Sequence, residues 1–230
     1  MVRILVVVAV PAEVDAVLAG CPARRAPIGP YEAVVAGGLT AVAGGVGPAR
    51  AAAATGTVLA LERFDLVLSA GVGGGFAGRA GLGDLVLADR VVHADLGAGS
   101  PGGFLPVDRL GLGEAGAVLD AGLVARAAGW TGALVGPIIT VSTVTGTTER
   151  AAELAAAHDA AAEAMEGAGV LAAAQAHGVP FLELRAISNP VGRRDRTGWD
   201  LPGALARLGP AVQALAVALA GSTAPTGGGR

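Results

Sequence analysis

The sequence carries ILVVVAV at residues 4–10, an unbroken apolar run in which five of seven residues are β-branched. A run of this length and composition is typical of a central strand that other elements cover on both faces. It is too short to span a membrane, which takes about 20 apolar residues, and Pro11 and Glu13 follow it where a signal peptide would need a cleavage site. We therefore expect a buried strand here, followed by a short helix from Glu13 to Ala19.

Further strands and helices alternate along the rest of the chain. Apolar runs predict strands at Ala33–Ala36, Leu39–Ala43, Asp65–Ala70, Leu85–His93, Leu134–Thr143 and Val179–Ser188. Helices are predicted at Ala49–Glu62, Ala117–Ala128, Thr147–Ala157, from near Met165 to about His177, and at Leu201–Ala220.

No linker interrupts this alternation. The pattern favours one α/β domain over residues 1–220, with a mixed central sheet flanked by helices. The Gly- and Pro-rich stretch Gly97–Gly116 predicts a surface loop. Residues 221–230, rich in Gly, Pro and Thr, predict a disordered tail.

Composition limits the partners of the chain. The formal net charge of −3, the lack of lysine and an aromatic content of 3% disfavour nucleic-acid binding, which needs a positive surface and stacking groups. The single cysteine, Cys21, excludes an internal disulfide and a cysteine-based zinc site and favours a reducing compartment. The histidines follow no metal-binding pattern. We expect a cytoplasmic protein without nucleic-acid or membrane partners.

Polar and glycine-rich stretches follow several of the expected strands. In open α/β sheets, ligands bind beyond the carboxyl ends of the strands. This places the expected site near four stretches of the chain: Val10–Glu13, Gly71–Gly75, Thr140–Thr145 and Ser188–Asn189.

The stretch Gly71-Val72-Gly73-Gly74-Gly75 has two interpretations. It could be a loop that lets a ribose, a phosphate or an attacking water come close to the backbone. It could equally be a glycine turn that only permits tight packing. The dinucleotide-binding fingerprint needs a glycine where Phe76 stands, so the stretch does not fulfil it.

Three polar side chains near these strand ends are candidates for chemistry. Glu166 could accept hydrogen bonds from a ribose diol, or it could be an exposed acid at a helix start. Glu13 could be a general base that activates water, or again a helix-start acid. Asn189, before a proline, could direct its amide at a base edge or only form a turn. Met165 reads as core filling, and Arg185, inside a strand, as a structural ion-pair partner.

Together and in this order, these segments resemble the superfamily of purine nucleoside phosphorylases and methylthioadenosine nucleosidases, from Arg3 to about Ala218. The resemblance rests on the first strand with Glu13, Ser69–Gly74, Met165-Glu166 and Arg185–Asn189. It implies that Met165 lies under the ribose, that Glu166 binds the ribose hydroxyls and that Glu13 orients the hydrolytic water. It also implies substrate contacts by Gly71, Val72, Gly73, Thr140 and Val144.

Two segments resemble the futalosine hydrolase family in particular. They are Ser188–Arg196, with Trp199-Asp200 after it, and Ala94–Gly97, followed by Gly103–Pro106. The resemblance implies hydrolysis of the N-glycosidic bond of futalosine, with hypoxanthine as the leaving base, in menaquinone biosynthesis. It also implies a homodimer or larger homo-oligomer that needs neither cofactor nor metal.

Asn189 stands where the adenosine-type nucleosidases have an aspartic acid that protonates N7. An amide can donate a hydrogen bond but cannot deliver a proton. A 6-oxopurine needs less help, because its negative charge spreads onto O6, so hypoxanthine suits Asn189 better than adenine does. Whether Asp195 or another acid assists the leaving base stays open.

Ser69 bears on the choice between water and phosphate as the nucleophile. Phosphorylases of the superfamily commonly have an arginine two residues before the first loop glycine, to hold phosphate, and here that position is Ser69. This favours water. A phosphate-dependent purine nucleoside phosphorylase and a non-catalytic nucleoside-binding module remain the alternatives.

Overall fold

The computed structural model describes residues 2–222. Within them the strands are β1 (Ile4–Val8), β2 (Arg24–Ile28), β3 (Tyr31–Ala36), β4 (Leu39–Ala43), β5 (Leu66–Gly75), β6 (Leu85–His93), β7 (Gly97–Ser100), β8 (Gly103–Pro106), β9 (Gly116–Val118), β10 (Leu134–Thr140), β11 (Ala162–Ala164) and β12 (Phe181–Pro190). The helices are α1 (Pro11–Val17), α2 (Pro48–Leu61), α3 (Ala121–Thr131), α4 (Thr148–His158), α5 (Gly167–Ala176) and α6 (Leu201–Ser222), and a 3₁₀ turn covers Arg196–Gly198.

Nearly all of these strands belong to one mixed sheet, with the order β11-β10-β6-β12-β5-β1-β4-β3-β2 and β9 beside β6. β1 is buried along its whole length and pairs in parallel with both β4 and β5. β12 lies between β5, to which it is parallel, and β6, to which it is antiparallel. β11 pairs with β10 and also with β5, so this half of the sheet curls into a closed ring. The mixed α/β single domain is confirmed.

Helices cover the sheet in two layers. α6 packs against α1, α3, β5 and β12, while α5 packs against α2 and the strands of the ring. α6 presents a buried stripe at helical spacing, formed by Ala204, Leu208, Ala211, Val212 and Leu215. α6 is also long and apolar enough to cross a membrane by length and composition. The stripe packs against the sheet and its neighbours, as in the core helix of a globular domain.

Several boundaries differ from the expectation. Gly71–Gly75 is the second half of β5 and pairs with β12, so the predicted loop there is wrong. The predicted loop at Gly97–Gly116 contains the β7–β8 hairpin, because main-chain pairing tolerates its glycines. The helix predicted from Ala117 begins instead at Ala121, where the Asp120 side chain accepts a hydrogen bond from the Leu123 N–H.

The remaining differences concern short or terminal segments. β2, which contains Pro27, forms the edge of the sheet, and β11 has three residues; neither was expected. The helix after Met165 begins at Gly167, and α4 begins at Thr148, where the Thr147 side chain accepts a hydrogen bond from the Arg150 N–H. Gly221 and Ser222 belong to α6, and the rest of the tail, 223–230, lies outside the described residues.

Candidate active site

A cleft of about 510 Å³ opens where β1, β5 and β12 end. All four stretches expected at the site contribute side chains or backbone to it. The lining residues from these stretches are Val10, Glu13, Val72, Gly73, Gly74, Val144, Thr145, Ser188 and Asn189, and Met165 and Glu166 line it as well. The structure thus brings together the three candidates for chemistry, Glu13, Glu166 and Asn189.

Glu13 lies in the first turn of α1 and is 4% exposed. The backbone N–H groups of Ala9 and Val10 donate to its Oε2, at 2.8 and 3.3 Å. The Val72 N–H donates to its Oε1, at 2.9 Å. Three donors from two separate segments therefore fix this carboxylate at the cleft wall. It stabilises the helix start and keeps about one acceptor position, on Oε1, for a further donor such as water.

Glu166 is 5% exposed, so it is not the exposed helix-start acid that was one of its two interpretations. The Gly47 N–H donates to Oε1 at 3.2 Å, and Arg185 Nη1 donates to Oε2 at 3.3 Å. Because each oxygen already has one donor on the protein side, the lone pairs that remain are available to hydroxyl groups in the cleft.

Arg185 links the buried carboxylates from the middle of β12. Its Nε donates to Glu183 Oε1 at 3.0 Å and its Nη2 to Ser69 Oγ at 2.9 Å, in addition to the bond with Glu166. Burial alone would lower the pKa of Arg185, but the charges of Glu183, Glu166 and Glu13 outweigh it and raise that pKa. The structural ion-pair role expected of Arg185 is confirmed.

Glu183 is fully buried, and its Oε2 has no hydrogen-bond partner among the described residues. Burial raises the pKa of Glu183 to about 7, against the opposing charge of Arg185. The carboxylate lies against the first residue of α5, because a Cβ on Gly167 would overlap it. Glu183 therefore lies beneath the start of the helix that carries Glu166.

Gly71 and Thr140 lie behind the cleft wall. A Cβ on Gly71 would stand 2.6 Å from Glu13 Oε1 and 2.8 Å from Arg185 Nη1, so only glycine lets these two groups approach the strand. Thr140 is fully buried, and its Oγ1 accepts a hydrogen bond from the Ala168 N–H at 2.9 Å. Both positions support groups of the cleft from outside it.

Asn189 is the penultimate residue of β12 and lines the cleft. Its Oδ1 accepts from Ser188 Oγ at 2.9 Å, and its Nδ2 donates to the Pro190 carbonyl at 3.0 Å. A carbonyl can only accept, so this pair of bonds sets which end of the amide is which, and the second Nδ2 hydrogen is left for a ligand.

Sequence analysis missed Glu163, which also lines the cleft and is 4% exposed. The Thr145 N–H donates to its Oε1 at 2.9 Å, and the Thr145 hydroxyl donates to Oε2. Burial raises the pKa of Glu163, although both bonds from Thr145 oppose that effect. The one signal in the sequence was a single acid inside the run Ala160–Ala164.

Positive charge collects at the rim of the cleft. Arg193, Arg194 and Arg196 line it, and the guanidinium groups of Arg194 and Arg196 lie 5.5 and 5.4 Å from the ring centroid of Trp199. No carboxylate of residues 2–222 forms an ion pair with these three arginines; the adjacent Asp195 accepts bonds from Thr197 instead. The cleft is thus acidic inside and basic at its rim.

The chain is similar to known proteins over nearly its whole length. Residues 3–220 match the family described as the phosphorylase superfamily. The chain is 51% identical to a futalosine hydrolase of Streptomyces coelicolor, across 94% of this chain and 96% of that protein. It is 45% identical to a futalosine hydrolase of Acidothermus cellulolyticus, across 94% and 91% of the two chains.

Among solved structures, the fold is similar to that of a 5′-methylthioadenosine/S-adenosylhomocysteine nucleosidase from Colwellia psychrerythraea in complex with adenine. The TM-score is 0.81, with 24% identity and coverage of 95% of this chain and 96% of that one. At this identity the likeness concerns the fold alone.

Proposed function

The chain belongs to the phosphorylase superfamily and, within it, to the futalosine hydrolases, and on this premise we propose that it hydrolyses the N-glycosidic bond of futalosine. The products are hypoxanthine and dehypoxanthine futalosine, and the reaction serves menaquinone biosynthesis in the cytoplasm. The observation that carries the proposal is the meeting of Glu13, Glu166 and Asn189 in one cleft.

The sugar is held by Glu166. Its carboxylate accepts hydrogen bonds from the ribose hydroxyls, and Met165, which also lines the cleft, packs under the ring. As the glycosidic bond lengthens, the sugar gains positive charge and resembles an oxocarbenium ion. A fixed carboxylate beside it stabilises that charge, and Arg185 keeps the carboxylate in place.

Glu13 activates the water. One water oxygen attacks the anomeric carbon while Glu13 takes a proton from it, so the C–N bond breaks and a C–O bond forms. The base leaves as an anion with the electron pair of the broken bond. It then takes a proton from solvent to give hypoxanthine, and Glu13 releases its proton to solvent. The three backbone donors to Glu13 hold the carboxylate in one orientation before the reaction starts.

The charge on the leaving hypoxanthine spreads over N7 and O6. The free Nδ2 hydrogen of Asn189 donates to one of these atoms and stabilises the anion without transferring a proton. Val72–Gly74 contribute backbone and Val144 contributes apolar surface to the same cleft. Each of these roles rests on position in the cleft.

The rim receives the far end of the substrate. Futalosine carries a carboxylated benzoyl group on the 5′ side of its ribose. Within residues 2–222 the arginines of the rim form no ion pair with a carboxylate, and Arg194 and Arg196 lie over the Trp199 ring, a surface that suits an aromatic carboxylate. We assign this group to the rim formed by Arg193, Arg194, Arg196 and Trp199.

A homodimer or larger homo-oligomer is part of the proposal. Leu96, Phe104 and Leu105 lie on or beside the β7–β8 hairpin and are each 40% exposed. Exposed apolar side chains on a hairpin that forms a separate two-stranded sheet favour contact with a second copy. Light scattering at several protein concentrations measures the assembly, and a monomer throughout would contradict this part.

A hydrolase, not a phosphorylase, is supported by Ser69. Ser69 is fully buried and bonded to Arg185, and Arg185 is already engaged with Glu166 and Glu183, so neither is free for phosphate. Chromatography of protein incubated with futalosine, inosine or methylthioadenosine, with and without phosphate, tests the proposal. We expect hypoxanthine from futalosine in phosphate-free buffer. Strict phosphate dependence would favour the phosphorylase, and binding without turnover would favour the non-catalytic module.

A further inference from the structure

We propose that Glu163 selects a 6-oxopurine by accepting a hydrogen bond from its N1–H, while Asn189 donates to the O6 or N7 side of the same ring. The proposal rests on the proposed function, in which the leaving base is hypoxanthine. It gives a role in substrate choice to a buried carboxylate that the mechanism above does not use.

The first argument is the register of three adjacent strands. Gly74 of β5 is the partner of Glu163 on β11 and also the partner of Asn189 on β12. The three residues form one row across the sheet, with a glycine in the middle. Neighbouring strands lie about 4.8 Å apart, so the Cα atoms of Glu163 and Asn189 stand about 10 Å apart. Both residues line the cleft, so a planar base bound in the cleft can lie between their two side chains.

Gly74 is required for this arrangement. A Cβ at this position would stand 2.8 Å from Val191 Cγ2 and 3.2 Å from Asn189 Nδ2. It would push the Asn189 amide aside and occupy the space above the strand. Val191 and the Asn189 amide therefore pack directly over the Gly74 backbone, and the row carries an acceptor, Glu163, on one side and a donor, Asn189, on the other.

The second argument is the unused capacity of Glu163. An ionised carboxylate offers about four lone-pair positions, and Thr145 fills one on each oxygen. The group is 4% exposed, so water does not satisfy the rest as it would on the surface. A buried carboxylate with open acceptor positions in a ligand cleft needs a donor from the ligand.

The chemistry of the base supplies that donor. N1 of a 6-oxopurine carries a hydrogen, whereas N1 of adenine carries a lone pair, which a carboxylate repels. The positions reverse at carbon 6, where the oxo group accepts from Asn189 and an amino group would donate. A site that pairs with a donor at N1 and an acceptor at carbon 6 rejects a base in which the two are exchanged, because the buried groups of the protein would then be left without hydrogen bonds. The negative charge of the leaving base collects toward N7 and O6, on the Asn189 side of the ring.

A purely structural role for Glu163 is the competing explanation, since its bonds to Thr145 also hold the segment between β10 and α4. Glu163→Gln separates the two. The Thr145 N–H can only donate, so it holds the amide oxygen, and the new NH₂ group then takes the place of Oε2 beside the Thr145 hydroxyl, which can accept. The variant keeps the contact with Thr145 but presents a donor to the base.

The test measures binding of free bases by calorimetry, which needs no cleavage. For the wild type we expect hypoxanthine to bind about tenfold to a hundredfold more tightly than adenine, and 1-methylhypoxanthine to lose a similar factor because it lacks N1–H. In Glu163→Gln the preference should fall by that factor or reverse in favour of adenine. The matched control is Glu149→Gln, an exposed acid on α4, which should retain the wild-type preference.

Cleavage of futalosine and of its 6-amino analogue by the same proteins completes the test. If Glu163→Gln weakens all bases equally and leaves the ratio of the two cleavage rates unchanged, Glu163 is structural and the inference is wrong. If the wild type does not cleave futalosine but prefers hypoxanthine through Glu163, the inference stands and the proposed reaction falls. If Glu163→Gln prefers adenine and the wild type cleaves futalosine, both the role of Glu163 and the proposed reaction are supported.

Discussion

The carboxylate of Glu13 has a structural task and a proposed catalytic one. It joins the end of β1 to the second half of β5 through its bonds from Ala9, Val10 and Val72. Loss of the side chain would therefore disturb the fold and the reaction together. A substitution that keeps the shape of the side chain and removes only its charge separates the two tasks.

Glu13→Gln is that substitution. We expect turnover of futalosine to fall by about 10²–10⁴-fold with little change in substrate affinity, because the general base is lost and the cleft is not. One amide hydrogen will face a backbone N–H, so we also expect the free energy of unfolding to fall by about 1–3 kcal/mol. Initial-rate assays measure the loss of turnover, and denaturant titration measures the loss of stability. Asp15→Asn, on the exposed side of the same helix, is the control; near-normal turnover of Glu13→Gln would remove Glu13 from the mechanism.

Glu166→Gln should affect binding as well as turnover. The amide can still contact ribose hydroxyls, but it carries no charge to stabilise the oxocarbenium-like sugar and leaves Arg185 one carboxylate short. We expect KM to rise and kcat to fall in the same variant, whereas Glu13→Gln changes mainly kcat. Steady-state kinetics on both variants makes the comparison, and an unchanged KM for Glu166→Gln would argue against its contact with the ribose.

At the scale of elements, the start of α5 determines where Glu166 lies. α5 approaches α2 so closely that a Cβ on Gly169 would overlap the Pro48 carbonyl oxygen and stand 2.7 Å from its carbon. The turn that carries Gly47, a donor to Glu166, directly precedes Pro48. Close packing of these two helices thus fixes both the carboxylate and one of its donors.

Gly169→Ala should therefore destabilise the protein by about 1–3 kcal/mol through overpacking. Gly56→Ala is the matched control, because a Cβ there meets nothing within 4 Å inside α2. Alanine in a helix interior is more favourable than glycine by about 1 kcal/mol of helix propensity, so this control should be slightly more stable than the wild type. Urea titrations give both free energies of unfolding. Equal effects of the two substitutions would show that helix propensity, not the contact with Pro48, decides the outcome.

The segment Arg193–Trp199 supplies a prediction about charge. Replacing Arg193 and Arg194 by Gln should raise KM for futalosine several-fold and leave KM for inosine unchanged, because only futalosine carries a distal carboxylate. The effect is modest, since exposed ion pairs contribute about 1 kcal/mol or less. Kinetics at low and high salt checks it, because added salt should weaken futalosine binding by the wild type more than by the variant. Equal changes for both substrates would exclude the rim from carboxylate binding.

At the scale of the whole molecule, the buried Glu183 should couple stability to pH. Burial raises the pKa of this carboxyl to about 7, from an ordinary value of 4.5. Between these two values the native state holds a proton that the unfolded state has released, so the free energy of unfolding falls as pH rises through this range and levels off above it. The loss attributable to this group is at most about 3 kcal/mol.

Glu183→Gln removes this titration and keeps the size of the side chain. We expect the stability of the variant, relative to the wild type, to increase as pH rises from about 4.5 to 7 and to stay constant above that. Denaturant titrations at half-unit pH intervals give the difference curve. Parallel curves for the two proteins would show that Glu183 keeps its charge throughout, held by Arg185.

The parts of the fold that the sequence predicts are those with local causes. β1 and β12 are apolar runs, and α6 carries its buried stripe within one segment. β11 was not predicted because a strand of three residues shows no periodicity in the sequence. The glycines of β5 resemble a loop because their pairing with β12 is not local. Glu163 was missed for the same reason, since its row with Gly74 and Asn189 exists only after three distant segments pair.

The place of β12 in the sheet has a consequence for biosynthesis. It lies between β5 and β6, yet it is the last strand of the described chain to be translated. Until residues 181–190 emerge from the ribosome, β5 presents a long unpaired edge and β6 a short one, beside apolar side chains, the kind of surface on which chains aggregate. Arg185 and Asn189 arrive with that strand. A polypeptide terminated before Phe181 would therefore lack both its central strand and the residue proposed to contact the leaving base. We expect chaperones to bind such a polypeptide or proteases to degrade it.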